Sequence, residues 1–183
     1  MARLKSIDPA AATDRTKELL DSVKQKFGMV PNITRLMANS PAVLEGYLSF
    51  SGALASGGLD PQLRERIAIA VATANGCDYC LSAHTAAAKM LGVSQDELAA
   101  AQQGLSSDQA EATALKFATK IVRERGWVAD EDVGALRQAG FGDGEIIEII
   151  AVTVLNVFTN YFNHIAKTEI DFPLVKTASG VSA

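Results

Sequence analysis

Both cysteines of the chain and one of its two histidines fall in a single short stretch, Cys77-Asp78-Tyr79-Cys80-Leu81-Ser82-Ala83-His84. The pattern predicts a helix over residues 78–90, with Cys77 at its start and Cys80 and His84 three and seven residues further on. Those offsets place all three on one stripe, and Cys80 and His84 form an i,i+4 pair within direct reach. A thiol at a helix N-terminus has its thiolate stabilised by the helix dipole and by free N–H groups. An imidazole nearby is suited to taking the proton. The residue types and their order describe a redox dithiol with its own base.

Glu65 precedes Cys77 by twelve residues, and the pair Asn75-Gly76 breaks the helical pattern between them. If the two helices fold back as an antiparallel hairpin, Glu65 lies about 15 Å down one arm and His84 about 12 Å down the other, at ~1.5 Å per residue. The two side chains then face each other, and a carboxylate accepting the imidazole proton would raise the basicity of His84. The competing reading puts Glu65 on the surface against Arg64, Arg66 or another arginine.

The cysteine pair has alternatives too. Zinc held by Cys77, Cys80, His84 and His164 is one, although no other ligand has zinc-ribbon spacing. Two inert buried thiols are another. A c-type haem site is excluded because no histidine directly follows Cys80. His164 reads as a core or interface histidine, but Asn156, Asn160 and Asn163 beside it make a polar stripe that hints at a pocket or an oligomer contact. Trp127 reads as packing.

The rest of the chain must position these groups, and its periodicity is helical throughout. Helices are expected over residues 9–27, 33–38, 41–56, 61–74, 78–90, 94–103, 107–125, 130–139 and 143–166. Asp8-Pro9, Ser40-Pro41 and Asp60-Pro61 serve as start signals, and Ser94-x-x-Glu97 as a capping box. Residues 167–183 are expected to form a tail, extended around Pro173. No segment alternates as a strand would and no βαβ pattern appears, so a thioredoxin fold is a poor host for this Cys-x-x-Cys. The fold class is all-α, one domain over residues 1–183 with its core within 9–166. Shifting residues 64–84 by 80 aligns Glu65 with Glu145, Ile67 with Ile147, Ile69 with Ile149, Thr73 with Thr153 and His84 with His164. That echo suggests a duplicated helical unit whose second copy lacks the cysteines.

Composition narrows the function. The 183 residues are 48% hydrophobic and 21% charged, which suits a globular chain large enough for a real core. A net charge of −4 argues against a nucleic-acid partner. The N-terminus has no apolar signal-peptide core. The apolar run over 146–162 is interrupted by Glu148, Asn156 and Asn160, and reads as a central or interface helix rather than a membrane span. A cytoplasmic location is expected. In that reducing compartment an isolated Cys-x-x-Cys is more often catalytic or metal-binding than a structural disulfide.

Glu65 followed by Asn75-Gly76-Cys77-x-x-Cys80-x-x-x-His84 resembles the AhpD-like alkylhydroperoxidases of the carboxymuconolactone decarboxylase superfamily. Val30-Pro31-Asn32, Ser40-Pro41, Arg64-Glu65, Asn160-Tyr-Phe-Asn-His164 and Ile170-Asp-Phe-Pro173 resemble its peroxidase-related subgroup, and the likeness covers nearly the whole chain. It implies an AhpD-like helical fold with an internally duplicated core, assembled as trimers or hexamers. It also implies a peroxidase without metal or other cofactor. By that likeness Cys80 is the peroxidatic thiol, Cys77 resolves its sulfenic acid to a disulfide, and His84 and Glu65 relay the proton. The implied partners are a hydroperoxide substrate and a dithiol reductant such as a lipoylated protein.

One position departs from the family. The alkylhydroperoxidases proper carry a second histidine immediately before the second cysteine, where this chain has Tyr79. A phenol near pKa 10 is a poor base at neutral pH, but it can donate a hydrogen bond to the relay. The superfamily's decarboxylases lack the cysteine pair, so lactone decarboxylation is not expected. Other uses of the same disulfide are a redox-sensing or assembly module that oxidises once without turnover, or a dithiol oxidoreductase with little peroxidase activity.

Overall fold

The computed structural model describes residues 2–177. Among them lie nine helices and no strand: α1 (Asp14–Phe27), α2 (Asn32–Met37), α3 (Pro41–Ala55), α4 (Pro61–Ala74), α5 (Asp78–Met90), α6 (Gln95–Gln102), α7 (Gln109–Arg123), α8 (Asp130–Gln138) and α9 (Asp143–Ala166). The all-α reading therefore holds.

The architecture is built around α4. Asp60 caps it by accepting from the N–H groups of Gln62 and Leu63, with Pro61 in the first turn. Ile67, Ala68, Ile69, Ala70, Val71 and Ala72 follow one another, all buried. A helix apolar all round needs neighbours on every side, and α4 has them in α5, α6, α7 and α9. The chain leaves α4 through Asn75 and Gly76, whose φ of 68° is open to glycine without strain. It then reverses into α5, so that α4 and α5 form the expected hairpin.

Several boundaries differ from expectation for local reasons. Asp8 does not start α1. Its Oδ1 accepts from Ala10 N at 2.9 Å and its carbonyl accepts from Ala11 N at 3.1 Å, which closes a turn, and the helix begins at Asp14. Ser94 caps α6 through Glu97 N, but Glu97 does not complete the capping box. Its carboxylate turns to Ser106, Ser107 N and Arg66 instead. The N–H of Ser107 is thereby committed, and α7 begins after Asp108, which accepts from Glu111 N. Trp127 is 87% exposed and takes no part in packing.

At 24 residues α9 is long and apolar enough, by length and composition, to cross a membrane. Its polarity is divided by face in an unusual sense. Beyond Val152 the buried side carries Thr153, Asn156, Thr159, Asn160 and Asn163, whereas Val154, Phe158, Tyr161 and Ile165 are exposed. The internal echo is visible over its first half: Thr73 and Thr153 each donate to the carbonyl four residues back, and α4 packs on α9. It ends at Asn75, because the first segment breaks there while α9 continues unbroken to Ala166.

After α9 the chain runs back across α5. Val175 N donates to Ser82 Oγ at 2.9 Å. Thr177 donates to Asp78 Oδ1 from both its N–H and its hydroxyl, each at 2.8 Å. Upstream, Asp171 accepts from Asn32 N at 2.7 Å. Residues 167–177 thus strap the start of α5 to α2. The remainder of the expected tail, 178–183, lies outside the described residues.

Candidate active site

Cys77 is the N-cap of α5, and its Sγ accepts from Cys80 N at 3.4 Å. Both cysteines are free and buried, at 1% and 3% exposure. The cap position alone would favour ionisation of Cys77. The surroundings favour Cys80 instead. Its thiol is lowered to about 6, first by the hydrogen bond from Cys77, then by the charge of His84 and by the amides of Asn163 and Asn160, against the opposing effect of burial. Cys77 is pushed up, because its proton is shared toward Cys80 and because it is buried beside that charge. Two adjacent thiols cannot both ionise cheaply, so the neighbours decide which one does.

Two of those neighbours, the asparagines, come from α9. Asn163 Nδ2 donates to Cys80 Sγ at 3.2 Å. Asn160 is held by Asn75, whose Nδ2 donates to its Oδ1 at 2.9 Å. The buried Nδ2 of Asn160 has no other partner and is a further donor toward the sulfur. The break between α4 and α5 is thereby tied to the helix that serves the thiol.

His84 and Glu65 meet as the hairpin predicts, with Nδ1 2.8 Å from Glu65 Oε2. The carboxylate accepts from Nδ1–H, which leaves Nε2 for chemistry. Burial pulls the imidazole down, but the charge and hydrogen bond of Glu65, the neighbouring Cys80 and Asn156 outweigh it, and the net shift is upward. Both side chains are about a quarter exposed, at 28% and 24%. They face a cavity of about 200 Å3 between α1, α3, α4 and α9. Cys80 is not among the residues that line it.

Two other residues fall differently from expectation. Tyr79 is buried, with its hydroxyl accepting from Ile33 N at 3.2 Å and its ring edge-on to Phe172 at 5.7 Å. Burial pushes its phenol up, and the side chain is engaged with α2 and the strap. His164 is exposed, on a different side of α9 from Asn156, Asn160 and Asn163. It stands apart from the cysteines, and among the described residues no three His, Cys, Asp or Glu side chains are grouped to hold a metal ion.

Tyr47 was not expected at the site, since its place on α3 reads as part of an apolar face. It lines the cavity with His84 and Glu65. Its phenol is pushed up to about 12 by burial, with the charges of Cys80 and Glu65 adding to the shift. It therefore remains a hydrogen-bond donor at any ordinary pH.

A helical fold that buries a dithiol beside an imidazole–carboxylate pair defines a recognisable class. Residues 41–124, from α3 through α7, match the carboxymuconolactone decarboxylase family. The structure superposes on the alkylhydroperoxidase AhpD core of an uncharacterised peroxidase-related protein from Ralstonia eutropha JMP134, with a TM-score of 0.84 and 26% identity, over 93% of this chain and 92% of that one. A peroxidase-related protein from Silicibacter sp. TM1040 gives 0.79 and 28%, over 92% and 94%. The apo debrominase Bmp8 shares the fold at 0.80 with 22% identity, over 92% of each chain. An uncharacterised protein from Haemophilus influenzae is 40% identical over 69 residues, which are 37% of this chain and 56% of that curated relative's length. The family match over residues 41–124 and the fold shared with peroxidase-related AhpD-core structures together support assignment to the AhpD/carboxymuconolactone decarboxylase superfamily. The family match ends before α9, which supplies the asparagines around Cys80.

Proposed function

We propose that the protein is a thiol-dependent peroxidase that reduces organic hydroperoxides through a Cys80/Cys77 dithiol–disulfide cycle. The observation that carries this reading is the environment of Cys80: a thiol lowered to about 6, served by Asn163 and lying near an imidazole paired to a carboxylate. Its likeness to peroxidase-related proteins agrees.

In the first step the Cys80 thiolate attacks one oxygen of the peroxide. The S–O bond forms as the O–O bond breaks, sulfur loses two electrons, and the alkoxide leaves with a proton from the His84 imidazolium. Glu65 keeps that imidazolium stable until it is used. Cys77 then attacks the Cys80 sulfenic acid, the S–S bond forms, and the hydroxyl departs as water with the Cys77 proton. A dithiol donor returns both cysteines to thiols by exchange. Tyr79, committed to Ile33 N, serves as a support for α5 rather than as a base.

The cycle needs a reductant, for which a lipoylated protein or similar dithiol carrier is the proposed partner, and a reducing compartment, here the cytoplasm. Self-association is part of the same reading. Val43, Phe50, Val154 and Phe158 line an apolar groove between α3 and α9 and are 41–52% exposed, and a second copy of the chain would cover them.

The test is peroxide consumption by the reduced protein with dihydrolipoamide as donor. Repeated turnover that disappears in Cys80→Ser is expected, and Cys77→Ser should leave a sulfenic acid on Cys80 that a dimedone-type reagent traps. A single stoichiometric oxidation with every dithiol tried would replace the enzyme with a redox sensor.

A further inference from the structure

The cavity that ends on His84 and Glu65 carries information about what enters it. It opens to solvent, and its volume is about 200 Å3. That suits a single substituted ring or a short chain rather than a long acyl tail. Tyr47, Leu54 and Val152 give it an apolar wall. Two cations, Lys26 and Arg64, also line it.

Among the described residues neither of those cations is ion-paired. Lys26 Nζ lies 5.5 Å from the centre of the Phe27 ring at the end of α1. Arg64 is anchored through Nη1 to Leu59 O at 2.8 Å, which fixes its place, and among the described residues Nη2 and Nε have no hydrogen-bond partner. Glu148 is committed by hydrogen bonds to Gly58 N and Leu59 N at 2.9 and 3.0 Å, which hold its carboxylate down, with the charge of Arg64 adding in small part. The one carboxylate in the lining, Glu65, is paired with His84 at 2.8 Å. With that pair mutually compensated, the lining retains an excess of positive charge beside an apolar wall.

We infer that the cavity selects a small organic hydroperoxide that carries a carboxylate. Its apolar body lies along Tyr47, Leu54 and Val152, its carboxylate is met by Lys26 and Arg64, and its peroxide end is directed toward His84. This selectivity rests on the peroxidase reading above, but it can be measured without turnover.

The probes are 4-isopropylbenzoate and its neutral isostere 4-isopropylbenzamide, titrated into the reduced wild-type protein by calorimetry. The carboxylate should bind at least ~five-fold more tightly than the amide. That margin should shrink in Lys26→Ala, shrink in Arg64→Gln, and fall with added salt. Equal binding of the two probes, or a margin unchanged in both variants, overturns the inference. In parallel, cumene hydroperoxide and its 4-carboxy derivative are compared as substrates, and the carboxylated one should have the higher kcat/KM by a similar factor. A preference for the carboxylated peroxide that survives both substitutions also overturns it. Failure to turn over either peroxide while the binding margin persists rejects the peroxidase reading and leaves the carboxylate selectivity supported.

Discussion

Glu65 and Arg66 are neighbours on α4, about 100° apart around the helix, and each anchors an ion pair of a different kind. Arg66 is 5% exposed and donates to Glu97 at 2.9 Å, Glu111 at 2.5 Å and Ser106 at 3.1 Å, tying α4 to α6 and α7. Glu97 is held down to about 2, first by its hydrogen bonds to Ser107 and also by Ser106 and Arg66. Glu97 is thereby kept ionised across the physiological range. Glu65 faces a cavity instead, and its partner His84 is an imidazole whose pKa the pairing raises above its ordinary value. On the proposed reading, the same helix uses one pair as a fastening and the next as a proton reservoir. What separates them is the chemistry of the cation and access to solvent.

The sharpest way to break this contrast is Arg66→Met. It strands Glu97 and Glu111 and should lower stability by about 3 kcal/mol in urea denaturation. The thiolate absorbance titration of Cys80 should not move, and a shift in that titration would dissolve the distinction between the two pairs. Glu65→Gln should do the reverse. Stability should change by no more than about 1 kcal/mol, because the pair is partly exposed, while peroxidase turnover should fall about 100-fold.

The pH profile sharpens the comparison further. Turnover should rise through about pH 6 as Cys80 ionises and decline where His84 loses its proton, above the ordinary imidazole value. Asn163→Leu removes a donor that favours the thiolate, so the acidic limb should move up by about one pH unit. Thr177→Val removes both a hydroxyl and its bond to Asp78. It should cost about 1 kcal/mol or less, seen as faster hydrogen exchange at the start of α5 with α6 and α7 unaffected.

The parts of this arrangement that were legible in the sequence are those written locally. Asp60-Pro61 and Asn75-Gly76 set both ends of α4, and the Cys/His spacing set α5, so the Glu65–His84 pairing followed from hairpin geometry. Asp8-Pro9 misled because the Asp8 side chain closes a turn instead of capping a helix. Glu97 misled because a buried arginine two elements away competes for its carboxylate. The asparagine stripe was visible, but grouping His164 with it overlooked the geometry. Residues 156, 160 and 163 share one face of a helix, and 164 lies about 100° away from 163. Tyr79 and Tyr47 could not be assigned from local pattern, because what orients them lies on other elements: Ile33 and Phe172 for the first, the cavity walls for the second.

The strap and α9 also carry a temporal consequence. Cys77 and Cys80 are synthesised long before Asn163 and Thr177, and the Asn163 contact that adds to the acidity of Cys80 spans 83 residues, with those that fasten α5 spanning 99. An emerging chain that has completed α5 but not α9 therefore has Cys77 and His84 beside Cys80 but lacks the two asparagine donors. The set of donors around Cys80 is complete only when the last helix docks, and an oxidant that meets the chain before then finds a less acidic thiol.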